Sequence, residues 1–104
     1  MIIDYPHHNQ GAFKLIEKRL LEMANELLSN LSKLHTTKLG VVRIRRNLSL
    51  ETNDVVDWCK NKIQKPESVV TRNGKNWYIK IDNVIITVNA HSYTIITAHK
   101  FSSS

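Results

Sequence analysis

The stretch that decides the fold is GKNWYIKIDNVIITVNAHSYTIITAHK, residues 74–100. Apolar and polar side chains alternate along it in three runs, and turn-forming residues separate the runs. Alternation with a period of two is typical of antiparallel strands that bury one face. The pattern predicts strands at residues 76–82, 84–90 and 93–101, with tight turns at Asp82-Asn83 and His91-Ser92. A fourth strand is predicted just before them, at residues 68–72, because Asn73-Gly74 is a strong hairpin signal.

The first two-thirds of the chain has helical periodicity instead. Apolar residues recur at steps of three and four over residues 10–34, which predicts a long amphipathic helix. Thr36 or Thr37 can cap a second helix that runs to about residue 47. Thr52 or Asn53 can cap a third helix that runs to about residue 65, before Pro66.

The predicted fold class is therefore α+β, with three N-terminal helices packed on a four-stranded antiparallel β-meander. Residues 10–101 form a single domain in this prediction, residues 1–9 a flexible arm and residues 102–104 a polar tail. A chain of 104 residues is long enough for one modest core.

Composition narrows the class of function. The net charge is +6 and the pI is about 9.7, which favours polyanionic partners such as RNA. The sequence contains neither a membrane-spanning apolar run nor a signal peptide, so we expect a cytoplasmic protein without a membrane partner. It also lacks a Cys/His cluster at ligand spacing, and we expect no metal and no cofactor. The single cysteine, Cys59, is interpreted as a buried structural thiol.

Strand alternation assigns side chains to the two faces of the predicted sheet. Core positions are predicted at Trp77, Ile79, Ile81, Val84, Ile86, Val88, Ala90, Thr94, Ile96 and Ala98. The opposite face is predicted to carry Tyr78, Lys80, Asp82, Ile85, Thr87, Asn89, Tyr93, Ile95, Thr97 and His99. An ordinary solvent-facing sheet also carries Thr, Tyr and Lys, and that interpretation stays open.

The histidine and lysine on this second face suggest RNA chemistry. Cleavage by the 2′-hydroxyl needs a base, an acid and a cation near the phosphate, which imidazole and ammonium groups can supply. We therefore assign His99, Thr97, Lys80 and His91 as candidate catalytic residues, with His35 as a more distant candidate. Aromatic rings can stack unpaired bases, and polar or basic groups can bind phosphate. The candidate nucleic-acid-binding residues are Tyr78, Tyr93, Asn89, Lys100, Arg43, Arg45 and Arg46.

The chain resembles a small bacterial family of uncharacterised domains in four segments: LHTTKLGVVRIRRNL, DVVDWCK, GKNWYIKID and ITVNAHSYTIITAHK. Its order of helices and strands, ending in IITAHK, also resembles the barnase/EndoU/colicin/RelE superfamily of metal-independent ribonucleases, many of which are toxins. The second resemblance implies that Thr97 and His99 lie on the catalytic strand. The sequence departs from that superfamily in having no clear catalytic glutamate.

Three functions remain open at this point. The leading one is a small RNA-binding protein that acts as a metal-independent endoribonuclease, such as the toxin of a toxin–antitoxin system with a neutralising partner protein. The second is a non-enzymatic nucleic-acid-binding regulator, although the turn before the third helix is long for a helix-turn-helix. The third is an inhibitor or adaptor from a mobile element that binds a protein or ribonucleoprotein. Self-association into a homodimer through the long helix is compatible with all three.

Overall fold

The computed structural model describes residues 25–101, and the predicted arm, the tail and most of the first predicted helix lie outside this range. Residues 25–28 are helical, residues 29–30 form a turn, and a 3-10 turn follows at Leu31–Lys33. The prediction of a continuous helix to residue 34 is therefore wrong at its C-terminal end. Two α-helices follow: α1 is Lys38–Leu48 and α2 is Val55–Ile63.

Local hydrogen bonds explain where these helices begin and end. The Thr37 side chain accepts a hydrogen bond from the Gly40 amide and caps α1, and Ser49 ends the helix in the left-handed region at φ 54°. The N-cap of α2 is Asp54, whose carboxylate accepts from the Asp57 amide. The prediction of Thr52 or Asn53 as that cap is wrong by one or two residues, because the carboxylate of Asp54 also favours the helix dipole.

The sheet has four antiparallel strands in the order β1-β2-β3-β4, so the α+β prediction is confirmed. The strands are Val69–Asn73, Asn76–Ile81, Val84–Asn89 and Ile95–Lys100. The first hairpin turns at Gly74-Lys75 and not at Asn73-Gly74, with Gly74 at φ 62°. Asp82 and Asn83 both have positive φ, which matches the predicted tight turn between β2 and β3.

The core lies between one face of the sheet and the helices. Trp77, Ile79 and Ile86 are fully buried at its centre, and Ile44 of α1 and Cys59 of α2 pack against the same cluster. All predicted core positions of β2 are buried, and so are Val84, Ile86 and Val88 of β3. We call this side of the sheet the core face and the other side the polar face.

The last strand differs from the prediction. Ile95 is 1% exposed and Ile96 is 37% exposed, the reverse of the expected order. The register explains the difference, because Val88 pairs with Ile95 and the preceding Thr87 pairs with Thr97, which leaves Ile96 as an extra residue in a β-bulge. The bulge brings Ile95 into the core and keeps Thr97 and His99 on the polar face.

The outer edge of β4 is covered by the segment before α1 and by α1 itself. His35 forms a parallel bridge to Thr94 and accepts a hydrogen bond from the Ile95 amide at 2.7 Å. The Thr36 hydroxyl donates to the Ile95 carbonyl at 2.7 Å, and Asn47 Nδ2 donates to the Ala98 carbonyl at 3.2 Å. These bonds pair the polar backbone groups of an edge strand and place α1 beside the polar face.

Candidate functional site

The candidate functional side chains of the polar face lie in two adjacent rows that cross the sheet. In the first row, Tyr78 pairs with Thr87 and Thr87 pairs with Thr97. In the second row, Lys80 pairs with Ile85 and Ile85 pairs with His99. The predicted grouping of His99, Thr97, Lys80 and Tyr78 on one face therefore agrees with the register, while the catalytic and binding roles of these residues stay predictions.

The first row presents three hydroxyl groups in different environments. Thr87 is 7% exposed, and its hydroxyl makes no hydrogen bond to any residue between 25 and 101. Thr97 Oγ1 accepts a hydrogen bond from Asn47 Nδ2 at 3.4 Å, and the Tyr78 hydroxyl accepts from Asn76 Nδ2 at 3.3 Å. No residue between 25 and 101 accepts the Tyr78 hydroxyl proton, which can be donated to a ligand.

The second row combines a cation, an imidazole and an aromatic ring. Lys80 and His99 are both exposed and lie two strand spacings apart, which is about 10 Å between their backbones. The ammonium of Lys80 lies 5.5 Å from the centroid of the Phe101 ring, so this long side chain reaches across the sheet toward the end of β4.

The polar face bears no carboxylate among the residues that the register places on it, from β1 through Phe101. Asp82, which strand alternation had placed there, lies in the turn after β2. It pairs with Lys62 and Lys65, each at 2.8 Å. These hydrogen bonds lower the pKa of Asp82 to about 2 and raise the pKa of Lys65. Among residues 25–101, Lys80 therefore has no neighbouring acid on the polar face to neutralise it.

Two other candidate site residues, Asn89 and His91, lie at the β3–β4 hairpin. Asn89 Oδ1 accepts hydrogen bonds from the His91 amide and from the amide and hydroxyl of Ser92, so its side chain holds the turn. His91 is exposed at the tip of this hairpin. Asn89 lies four residues from Ile85, the partner of His99, which separates the two ends of the strand by about 13 Å. The structure does not bring His91 and His99 together.

Tyr93 lies on the opposite side of the sheet from its predicted position. It is not in a strand, its φ is 60°, and its ring packs 5.2 Å from the ring of buried Trp77. Partial burial, aided by the negative charge of Glu26, raises the pKa of its hydroxyl. The prediction that Tyr93 shares the face of Tyr78 is wrong, because the turn ends in a left-handed residue that redirects the side chain.

The three arginines of α1 divide into two groups. Arg45 points toward the loop after α1, where NH1 donates to Asn53 Oδ1 at 2.7 Å and the other guanidinium nitrogens lie 3.4 Å from the carbonyls of Leu50 and Glu51. Arg43 and Arg46 are exposed and make no hydrogen bond or ion pair within residues 25–101. Lys100 is exposed at the end of β4 and pairs with Val84, on the core side.

His35 takes part in a polar network at the start of β4. Its Nε2 lies 3.0 Å from Thr94 Oγ1 and its Nδ1 lies 3.0 Å from the carbonyl of Lys33. A carbonyl only accepts, so Nδ1 donates to the Lys33 carbonyl, and Nε2 and the Thr94 hydroxyl share a second hydrogen bond. This imidazole ties the segment before α1 to the β3–β4 turn and lies at the far end of β4 from His99.

Sequence reasoning missed two residues of this region. Phe101 continues the alternation of Thr97 and His99, so that pattern could have placed it on the polar face. No local signal identified Asn47, because its contact with Thr97 joins residues 50 positions apart.

Neither metal chemistry nor thiol chemistry is supported by the described residues. Between residues 25 and 101, no three His, Cys, Asp or Glu side chains are grouped in a way that could hold a metal ion. Cys59 is fully buried, as predicted, and burial raises its pKa to about 12. Over the same range, no helix has the length and apolar character needed to cross a bilayer.

Comparison with known proteins gives one match. The family model described as "Protein of unknown function (DUF3781)" matches residues 28–99, which includes α1, α2 and nearly all of the sheet. Neither the search of curated proteins nor the search of solved structures gives a match.

Proposed function

We propose that this chain, which belongs to the DUF3781 family, binds single-stranded RNA on the polar face of its sheet. The observation that carries the proposal is the composition of that face. It joins two aromatic rings, Tyr78 and Phe101, to the ammonium of Lys80 and the imidazole of His99, with no carboxylate among its described residues.

Each of these groups suits a different part of a nucleotide. The rings of Tyr78 and Phe101 are half-buried and offer apolar surface on which an unpaired base can stack. Lys80 can neutralise a phosphate, and its contact with Phe101 brings that charge beside a stacking surface. The Tyr78 hydroxyl can bond to a ribose 2′-hydroxyl, which distinguishes RNA from DNA.

The charge distribution supports a polyanionic ligand. Residues 25–101 contain twelve Lys and Arg against six Asp and Glu, so this part of the chain carries the whole net charge of +6. A basic surface attracts RNA by releasing counterions from the phosphates, and we expect binding that weakens steeply with salt. The proposal places the protein in the cytoplasm, where a single thiol remains reduced.

Cleavage of the bound strand is the second candidate function, favoured by the exposed His99 in the same row as Lys80. In this reaction, neutral His99 takes the proton of a 2′-hydroxyl and O2′ attacks the adjacent phosphorus. The P–O5′ bond then breaks, and the leaving oxygen takes a proton from water. Lys80 stabilises the added negative charge on the phosphoryl oxygens. The products are a 2′,3′-cyclic phosphate and a 5′-hydroxyl end.

Binding is tested with a fluorescently labelled oligouridylate of about 12 nucleotides, a length within the range that single-strand binding domains occupy. Tyr78→Ala should weaken binding by about 1–3 kcal/mol, the value of one stacked base. Lys80→Gln should weaken binding and reduce its salt dependence. Lys60→Gln removes one charge from α2, on the core side, and serves as the matched control. Equal affinity of all four proteins would reject the polar face as the binding surface.

Cleavage is tested by incubating total RNA with the purified protein in EDTA. His99→Ala should lower the rate by about 10²–10⁴-fold, as expected for an acid–base group. Lys60→Gln, prepared in parallel, controls for contaminating nucleases and for general effects of a surface substitution. If His99→Ala cleaves like the wild type, the cleavage assignment is wrong, and RNA binding is judged by the oligouridylate titration alone.

The other two functions predict different results in the same assays. A regulator that reads duplex DNA would bind duplex more tightly than single strands and would be insensitive to Tyr78→Ala. An inhibitor or adaptor would bind neither nucleic acid and would form a stoichiometric complex with one protein. A toxin would require a neutralising protein, which we expect to cover the polar face.

A further inference from the structure

The flank of α1 next to the polar face carries cations that have no partner within residues 25–101. Asn47 marks this flank, because its side chain contacts both Thr97 Oγ1 and the Ala98 carbonyl. Arg43 precedes Asn47 by four residues, so the two side chains point within about 40° of each other and lie one helical turn apart. Arg46 lies beside them on the outer surface of the helix, three residues from Arg43.

We infer that the RNA strand leaves the polar face over β4, passes Asn47 and continues along α1, where Arg43 and Arg46 bind its phosphates. This inference rests on the proposed function, and it specifies the substrate class: single strands long enough to cover both the sheet and the helix. The short strands that fit the polar face alone would not reach the arginines.

Three observations support this path over other directions. First, α1 contains no acidic residue, so nothing on the helix opposes a phosphate backbone. Second, Arg45, which points the other way, is held by the loop after α1, whereas Arg43 and Arg46 are free among the described residues. Third, the exit at the β2–β3 turn is less favourable, because the two lysines there already pair with Asp82.

The bulge in β4 contributes to the same path. Ile96 is exposed at the bulge in β4, the edge strand beside α1, and gives the RNA strand an apolar contact where it leaves the sheet. The Asn47–Thr97 hydrogen bond is 3.4 Å long, so a ribose or phosphate oxygen can compete for either partner at modest cost.

The test compares two oligouridylates, of about 4 and about 12 nucleotides, with the wild type and with the Arg43→Gln/Arg46→Gln double variant. The double variant should bind the short strand like the wild type. For the long strand, the slope of log K against log salt should fall by about 1.4, or about 0.7 for each lost phosphate contact. If the variant and the wild type bind equally at about 1 M salt, this change in slope makes the variant bind about 25-fold more weakly at about 0.1 M.

Lys60→Gln/Lys75→Gln is the matched control, since it removes the same charge from α2 and from the β1–β2 turn. It should affect the short and the long strand equally. Both double variants replace surface groups, and their melting temperatures verify that they fold. If the Arg43→Gln/Arg46→Gln protein binds the long strand as well as the wild type, the path along α1 is wrong while binding at the polar face still holds. If the wild type binds neither strand, both proposals are wrong.

Discussion

Ile95 and Thr97 lie two residues apart in β4, yet Ile95 pairs with Val88 in the core and Thr97 pairs with Thr87 on the polar face. In a regular strand, residues two apart share a face. The extra residue, Ile96, removes that constraint. The position of His99 on the polar face and the burial of Ile95 therefore both depend on one β-bulge.

The bulge predicts opposite effects for two adjacent isoleucines. Ile95→Ala should lower the free energy of unfolding by about 2–5 kcal/mol, because it leaves a cavity in the core. Ile96→Ala should change it by about 0.5 kcal/mol or less, as for other exposed positions. Urea denaturation of the two variants measures both values. Equal losses, or a larger loss at Ile96, would contradict the bulge and restore simple alternation.

Replacement of Gly40 in α1 by a larger residue is expected to cause a steric conflict. A Cβ atom at this position would overlap Thr36 Oγ1, which is fixed by its hydrogen bond to the Ile95 carbonyl. Gly40→Ala should therefore destabilise the protein by about 1–3 kcal/mol, although alanine is the better helix former. Adding Thr36→Ala removes the overlap, so the double variant should lose less than the sum of the two single variants. Additive losses in thermal or urea unfolding would show that the two side chains do not conflict.

Arg45 and Arg46 are neighbours with different predicted roles. Arg45→Gln should lower the free energy of unfolding by about 1 kcal/mol, because its guanidinium holds the loop between α1 and α2. Arg46→Gln should leave stability unchanged and weaken the binding of the long oligouridylate. Melting temperatures and titrations of both proteins give the comparison. If Arg46→Gln lowers stability and leaves binding of the long oligouridylate unchanged, Arg46 does not belong to the proposed RNA path.

Cys59 should be unreactive in the folded protein. Its thiol is fully buried and its pKa is raised to about 12, so almost no thiolate is present near neutral pH. A colorimetric thiol reagent should react at the rate of unfolding in buffer and immediately in denaturant. Rapid labelling under native conditions would contradict the burial of Cys59.

The ion pairs of Asp82 should make the stability of the protein depend on pH in the acid range. Its pKa is lowered by hydrogen bonds from Lys62 and Lys65, so its contribution is fully present above the unfolded value near pH 4. That contribution is lost as the pH falls toward the folded value of about 2. Asp82→Asn tolerates the positive φ and removes the charge. The difference in melting temperature between wild type and variant should therefore shrink from pH 6 toward about pH 2, and a difference that is independent of pH would contradict the ion pairs.

The sequence alone determined the fold class and most of the core. Period-two alternation placed Trp77, Ile79 and Ile86 correctly in the core. One side of each strand faces the core and the other faces outward, so apolar and polar residues alternate along it. The same pattern put Tyr78 and Lys80 on one face and the turn at Asp82-Asn83. These features depend on residues close together in the chain, and local patterns are sufficient for them.

Only the tertiary structure decided the composition of the polar face at β4 and its connection to α1. The bulge at Ile96 arises from the register with β3, in which Thr87 pairs with Thr97 and Val88 pairs with Ile95. The sequence of β4 alone does not indicate this register. Tyr93 lies off the predicted face because its ring packs on Trp77, and the Arg45 guanidinium is directed to the loop after α1 by its hydrogen bonds there. Contacts between distant residues fix these positions, and their energies outweigh the weak preferences of a single strand or helix.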